Sequence, residues 1–174
     1  KSILAVNKDS LERVLVKNPM IKSAQVYYSL DGYIHVNIQQ REPVLRVLTG
    51  EGYYVDRDGR VMPLSSKFTS RVVVATGDIN KKFACEKLGP FAMKLKNEPF
   101  WDAYIEQLVV RSNEDVVMIP KVGDFRIVLG KVDDCEARLE KLMLFLKDGI
   151  TKKGWNRYKE INLKFDNQVV CVRK

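Results

Sequence analysis

Apolar positions near the start of the sequence follow one helical and two extended patterns. Spacings of three and four predict a helix over 8–17, which Asn18-Pro19 ends because the residue before a proline disfavours helix. Alternation over 21–30 and 33–41 predicts a hairpin with the two-residue turn Asp31-Gly32. Pro43 marks the edge or end of this ladder. The candidate N-caps of the helix are Asp9 and Ser10.

From Thr49 onward the patterns predict a run of short strands that carries two helices. The first helix, 83–96, is expected to break or kink at Gly89-Pro90, since proline removes a helical hydrogen bond. Turn residues such as glycine, proline and asparagine separate the extended segments. The predicted strands are 53–55, 60–62, 72–75, 105–111, 115–119, 124–129, 158–165 and 168–172.

The second helix, 132–147, has the clearest apolar stripe in the chain. Asp133 and Asp134 suit the positive end of its dipole, and Gly149 is expected just past its last turn. One buried face at helical spacing predicts packing against a sheet. The stripe consists of Val132, Cys135, Leu139, Leu142, Met143 and Leu146.

The order of elements predicts an α+β fold with mostly antiparallel sheets and no βαβ repeat. A helix with a hairpin comes first, and a larger run of strands with two helices follows. We therefore expect two domains, residues 1–48 and 49–174. With 45% hydrophobic residues in 174, the chain has enough apolar side chains for a packed core.

A formal charge of +8 favours anionic partners, but the basic residues are scattered. Pairs occur at Lys81-Lys82 and Lys152-Lys153, and no longer basic run exists. Tyr27 and Tyr33 in the predicted hairpin give only a weak pattern for nucleic-acid stacking. A solvated surface explains the charge better than a nucleic-acid site.

Three cysteines, Cys85, Cys135 and Cys171, are an odd number without metal-site or redox spacing. Cys135 and Cys171 fall within apolar patterns, which predicts that they are small buried side chains. They indicate neither a disulfide framework nor a zinc site, and leave the compartment undecided.

Candidate catalytic residues all have structural explanations. The single histidine, His35, lies on the polar side of a predicted strand, and no serine stands in a nucleophile elbow. Asp56 and Asp58 flank a glycine turn, and the phosphate-loop spacing around Gly130 is wrong. We therefore expect no enzyme activity, no cofactor, no metal and no small-molecule substrate, but a binding module.

Two stretches of the sequence resemble a known family. Lys17 to Val26, Asp31 to Val36 and Gln40 to Val47 resemble the second half of a POTRA domain, with its Asn-Pro and Arg-Glu-Pro motifs. Tyr53 to Pro63, Phe125 to Gly130 and Tyr158 to Val170 are similar to the β domain that follows POTRA in the FtsQ/DivIB family of bacterial division proteins. Residues 1–7 are too few for the expected first POTRA strand and an extra helix, so we expect this domain to be truncated.

The resemblance implies a scaffold for cell division. Members of the family bind FtsB/DivIC and FtsL and help to regulate septal wall synthesis. They are anchored in the inner membrane by one N-terminal span, which we expect before Lys1, and place this region in the periplasm. A partner segment is added as a strand to the C-terminal sheet edge, which satisfies unpaired backbone groups.

The resemblance also implies partner-binding residues. Lys164 and Phe165 fall where the family has a basic residue and an aromatic that hold the partner, although the basic residue expected there is arginine. Val169 and Val170 belong to the predicted edge strand, and Arg111 is a further candidate.

Two alternatives remain open at this stage. A POTRA module of an outer-membrane assembly or transport factor would require further POTRA units or a barrel, and the helix at 132–147 argues against it. An enzyme or nucleic-acid binder is supported by charge alone. A single N-terminal span in the full-length gene would favour the division scaffold, and steeply salt-dependent DNA binding would favour the last alternative.

Overall fold

The computed structural model describes residues 7–65, 69–150 and 157–174 of this α+β protein. The chain divides into two compact units, Lys1–Glu42 and Pro43–Lys174. The predicted fold class is confirmed. The division falls six residues before the predicted boundary at 48/49, because the strand that opens with Pro43 belongs to the larger sheet. In the described ranges, no helix has the length and apolar character needed to cross a membrane.

The first unit contains the predicted helix and hairpin, α1 (Lys8–Val16), β1 (Ile21–Tyr28) and β2 (Ile34–Gln40). The helix ends before Pro19, as predicted, but its N-cap is Asn7 instead of Asp9 or Ser10. Asn7 Oδ1 accepts a hydrogen bond from the backbone N–H of Ser10 at 3.1 Å. The expected first POTRA strand would fall on residues 1–6, outside the described residues.

The turn of the hairpin is longer than the two residues predicted. Tyr28 pairs with Ile34, so five residues connect the strands. The backbone N–H of Ser29 donates to the carbonyl of Tyr33 at 3.0 Å, and Gly32 adopts a φ of 86°. The pairing of Val26 with Val36 fixes the register of the two strands. This register leaves residues 29–33 as the connecting loop, which the hydrogen bond of Ser29 closes.

The second unit is built on a nine-stranded, mostly antiparallel sheet, as predicted. Three of its neighbouring pairs are parallel, and helices connect two of these, forming two β-α-β crossovers that the sequence analysis did not foresee. The strands are β3 (Pro43–Val47), β4 (Tyr53–Asp56), β5 (Val61–Pro63), β6 (Val73–Gly77), β7 (Ile105–Arg111), β8 (Asp115–Pro120), β9 (Arg126–Gly130), β10 (Tyr158–Asn162) and β11 (Val170–Arg173). Their order is β11-β10-β9-β8-β7-β6-β3-β4-β5.

Helical segments between β6 and β7 run without a long break from residue 81 to 104. They are α2 (Lys81–Phe83), a π-helical turn (Ala84–Leu88), α3 (Gly89–Asn97) and α4 (Pro99–Tyr104). The predicted irregularity at Gly89-Pro90 appears as the start of α3, directly after the π turn. Helix α4 was not predicted.

The helix after β9 begins later than the sequence indicated. It comprises α5 (Glu136–Leu144) and a π-helical segment (Phe145–Ile150). Asp134 has a φ of 46°, which is not helical, and Cys135 is the N-cap. The predicted end before Gly149 is also wrong, since the π segment extends past this residue.

One hydrophobic core lies between one face of the large sheet and its helices. The predicted burial of the stripe is confirmed, although Val132 and Cys135 precede the helix. Met143 is partly buried against this core, and the other stripe residues are buried in it. Fully buried side chains from strands and helices meet there, among them Leu45, Leu88, Leu108, Leu142, Ile161 and Leu163.

Candidate functional site

The connection between β10 and β11 carries most of the predicted partner-binding residues. The predicted strand 158–165 ends at Asn162, and the predicted strand 168–172 starts at Val170. Lys164, Phe165 and Val169 therefore lie in the connection and not on strands, which corrects their predicted setting. Of the predicted residues in this part of the chain, only Val170 belongs to a strand, β11.

The last strand, β11, lies at the edge of the sheet, as predicted. Within the described ranges it pairs only with β10. The backbone N–H of Lys174 donates inward to the carbonyl of Arg157 at 3.2 Å. Because inward and outward groups alternate along an antiparallel strand, the N–H and C=O groups of Cys171 and Arg173 face the open side.

The side chain of Lys164 extends across the end of the sheet towards β8. Its Nζ lies 3.0 Å from Asp115 Oδ1, and 48% of the lysine side chain is exposed. The stem passes over Gly130, where a Cβ would come within 3.0 Å of Lys164 Cγ. A side chain at Gly130 would therefore displace Lys164 from this path.

Arg111 lies at the same end of the sheet. It is paired in register with Asp115 across the β7–β8 hairpin. Asp115 thus contacts Lys164 and lies opposite Arg111 in the β7–β8 ladder, although Arg111 and Lys164 are far apart in the sequence. Asp115 was not recognised from the sequence, because its role depends on strand order.

Phe165 is a surface residue, with 47% of its area exposed. Its backbone carbonyl accepts a hydrogen bond of 2.5 Å from Lys141 Nζ, which also donates to the carbonyl of Leu163 at 3.2 Å. The N–H of Lys164 donates to Asn162 Oδ1 at 3.0 Å. Sequence reasoning missed Lys141, since a lysine on a helix next to an apolar stripe is usually solvated.

The valines of the edge strand and the valine just before it divide between the two faces of the sheet. Val169 packs against the core, and Cys171 follows it on the same face. Val170 and Val172 point to the opposite face and are exposed. The site consequently combines an open backbone edge, exposed apolar side chains and basic groups. Val172 was not among the predicted residues.

Other polar clusters have structural partners. Asp56, which is buried, accepts hydrogen bonds from the N–H groups of Asp58 and Arg60 at 3.0 and 2.7 Å, so it shapes the β4–β5 turn. His35 Nε2 lies 3.1 Å from Ser29 Oγ, and Asp31 contacts the serine. The hydrogen bond that Ser29 donates to Asp31 lowers the pKa of this carboxyl group. A catalytic triad would require the carboxylate to orient the histidine.

The cysteine thiols are at least partly shielded from solvent. Cys135 is buried, as predicted, and Cys171 is half-buried; burial raises the pKa of both thiols. In the described part of the chain, no three His, Cys, Asp or Glu side chains converge. The arrangement at β11 is suited to binding a polypeptide.

Comparison with known families gives an independent assignment. Residues 42–172 match the sequence model of a family described as FtsQ/DivIB, C-terminal related. The match begins one residue before the second compact unit and covers most of the chain. A comparison with curated proteins finds no match. The chain belongs to the FtsQ/DivIB family.

Proposed function

We propose that this chain is a non-enzymatic scaffold of the division complex that binds FtsB/DivIC-like and FtsL-like proteins. Its place in the FtsQ/DivIB family supports a role in cell division at the septum, with other division proteins as partners. More specifically, we propose that a segment of the FtsB/DivIC-like partner pairs with β11 as an additional strand of the sheet.

The observation that carries this proposal is the open edge of β11. An edge strand presents unpaired backbone groups, and a partner strand satisfies them with a regular ladder of hydrogen bonds. Main-chain pairing provides affinity that depends little on sequence. Side chains beside the edge then select the partner.

Exposed apolar side chains define what an added strand would contact. Alternate residues of the partner would lie next to Val170 and Val172, and another would cover Phe165. Full burial of a phenylalanine contributes roughly 1.5–3 kcal/mol, and about half of that applies to the part of Phe165 still exposed. We therefore expect apolar residues at alternating positions of the partner segment.

Basic residues supply the second element of recognition. Lys164 would attract a carboxylate of the partner, and Arg111 at the same sheet end would add to the positive potential. A lysine acts as a point charge and does not form the bidentate pair of an arginine. This contact contributes more to orientation than to affinity.

The proposal extends to topology and domains. An N-terminal span would anchor the protein in the inner membrane, with this region in the periplasm. Residues 1–48 would represent part of a POTRA-like domain and 49–174 an FtsQ-type β domain. The compact unit that starts at Pro43 supports a slightly earlier start for the β domain.

A peptide titration tests the function. The chain is titrated with a peptide from the FtsB/DivIC-like protein of the same genome, and we expect saturable binding. Lys164→Glu combined with Phe165→Ala should weaken it at least about tenfold, because both contacts are removed. The matched control is Lys82→Glu with Phe100→Ala, which makes the same changes at exposed residues of other elements. Unchanged affinity in the first variant would show that the site is wrong.

A further inference from the structure

The backbone after β10 leaves the sheet but stays fixed by side chains. The N–H of Leu163 donates to the carbonyl of Val128 at 2.9 Å, next to the end of the ladder. Beyond it, the N–H of Lys164 is satisfied by Asn162. The carbonyls of Leu163 and Phe165 then require donors, since the strand no longer supplies them.

Both carbonyls are bound by the same ammonium group. Lys141 Nζ, on α5, donates to Phe165 O at 2.5 Å and to Leu163 O at 3.2 Å. A lysine ammonium has three donors and carries its charge, so these are the stronger type of hydrogen bond. Lys141 is half-buried, and its ammonium group is held by two carbonyls at once, which limits its movement.

Arg138, one turn earlier on α5, acts in the same way on the neighbouring strand. Its Nη1 donates to the carbonyl of Leu129 at 2.8 Å and its Nη2 to that of Asp133 at 2.7 Å. Two cations at i and i+3 on one helix therefore donate to backbone carbonyls near the ends of two neighbouring strands, Arg138 at the end of β9 and Lys141 after β10. Of these two cations, Lys141 is hydrogen-bonded to the segment that contains Lys164 and Phe165.

We propose that Lys141 is a positioning residue for partner binding. This inference rests on the proposed function at β11. By holding the carbonyls on both sides of Lys164, it fixes the backbone so that the Lys164 side chain crosses Gly130 and the Phe165 ring stays exposed. Without the clamp the segment samples other conformations, and only a fraction of molecules is ready to bind.

The variant Lys141→Met tests this inference, since it keeps the length of the side chain and removes its donors. In the full chain, titrated with the FtsB/DivIC-like peptide, we expect about tenfold weaker binding, from a lower association rate with a nearly unchanged dissociation rate. Lys141→Arg should restore most of the affinity. Lys82→Met is the matched control, because the side chain of this exposed lysine forms no ion pair or hydrogen bond in the described ranges.

Amide hydrogen exchange provides a second readout that needs no partner. In Lys141→Met, the amide of Lys164 should exchange faster, while amides of the central strands keep their protection. If the peptide binds the wild type and Lys141→Met equally well, the inference is overturned and the proposed function stands. If the peptide does not bind the wild type, the proposed function fails, and the inference with it. General loss of protection in the variant would show a merely structural role.

Discussion

Lys164 Nζ and Asp115 Oδ1 lie 3.0 Å apart, although the two residues are 49 positions apart in the sequence. Such a surface pair adds little to stability, because water screens both charges. Its consequence concerns binding. The lysine proposed to meet a partner carboxylate already contacts an acidic residue of its own chain, so the two carboxylates would compete.

We expect Asp115→Asn to strengthen binding of an acidic partner peptide about threefold. Removing a negative charge several ångströms from the incoming carboxylate is worth about 0.7 kcal/mol in a water-like dielectric. The gain should shrink at high salt. Titrations at two ionic strengths measure it, with Asp102→Asn, at an exposed acidic residue of α4, as the control. Weaker binding by Asp115→Asn would show instead that this residue orients Lys164.

Proline substitution along β11 distinguishes its two backbone sides. Arg173→Pro removes an N–H that faces the open edge, so it should leave the melting temperature nearly unchanged and weaken peptide binding roughly three- to tenfold. Val172→Pro removes an N–H that faces β10 and should lower stability instead. Calorimetry with peptide titration measures both. Tight binding by folded Arg173→Pro would contradict strand addition at this edge.

Gly77 ends β6 where two backbones approach closely. A Cβ there would lie 2.0 Å from the carbonyl oxygen of Val110, and the φ of 104° is strained for any other residue. We expect Gly77→Ala to lower the free energy of unfolding by at least about 2 kcal/mol, measured by urea denaturation. Gly50→Ala also places alanine at positive φ but meets no atom within 4 Å, and should cost less. An equal cost would mean that the contact with Val110 relaxes.

The end of β11 should loosen in acid. Lys174 Nζ donates to Asp124 Oδ2 at 2.8 Å, and this hydrogen bond lowers the pKa of Asp124. A lowered carboxyl pKa in the folded state gives stability that is present above the ordinary pKa and lost as the pH falls through the lowered one. Below about pH 4 the protection factor of the Val172 amide, whose N–H faces β10, should therefore fall.

Removing the partner of Asp124 provides the control for this pH effect. In Lys174→Ala, NMR titration of the Asp124 carboxyl should give a pKa closer to that of an unperturbed aspartate. The protection factor of the Val172 amide should then depend less on pH. The same low pKa in wild type and variant would show that another group depresses it.

Local patterns predicted elements better than their ends. The apolar stripe of 132–147 correctly predicted a helix in this segment. Asp134 has a positive φ, however, so the helix begins only at Glu136. Helix α4 was missed because six residues rich in aromatics resemble a strand as much as a helix, and packing on β7 decides between them.

The site shows the same limit. Family resemblance identified Lys164 and Phe165 as candidates, and alternation identified the edge strand, because both are encoded in neighbouring residues. Asp115 and Lys141 had no such signal. They reach the site through strand order and helix packing, which place residues 49 and 24 positions away against the segment that follows β10.

The sequence by itself determined the α+β class, most strands and the buried stripe, since side-chain periodicity and turn residues act over a few positions. Tertiary structure alone decided that Pro43 opens a strand of the larger sheet, that β9 and β10 pair in parallel, and that β11 is left at the edge. Those outcomes depend on which distant backbones exchange hydrogen bonds. A local pattern carries no information about that choice.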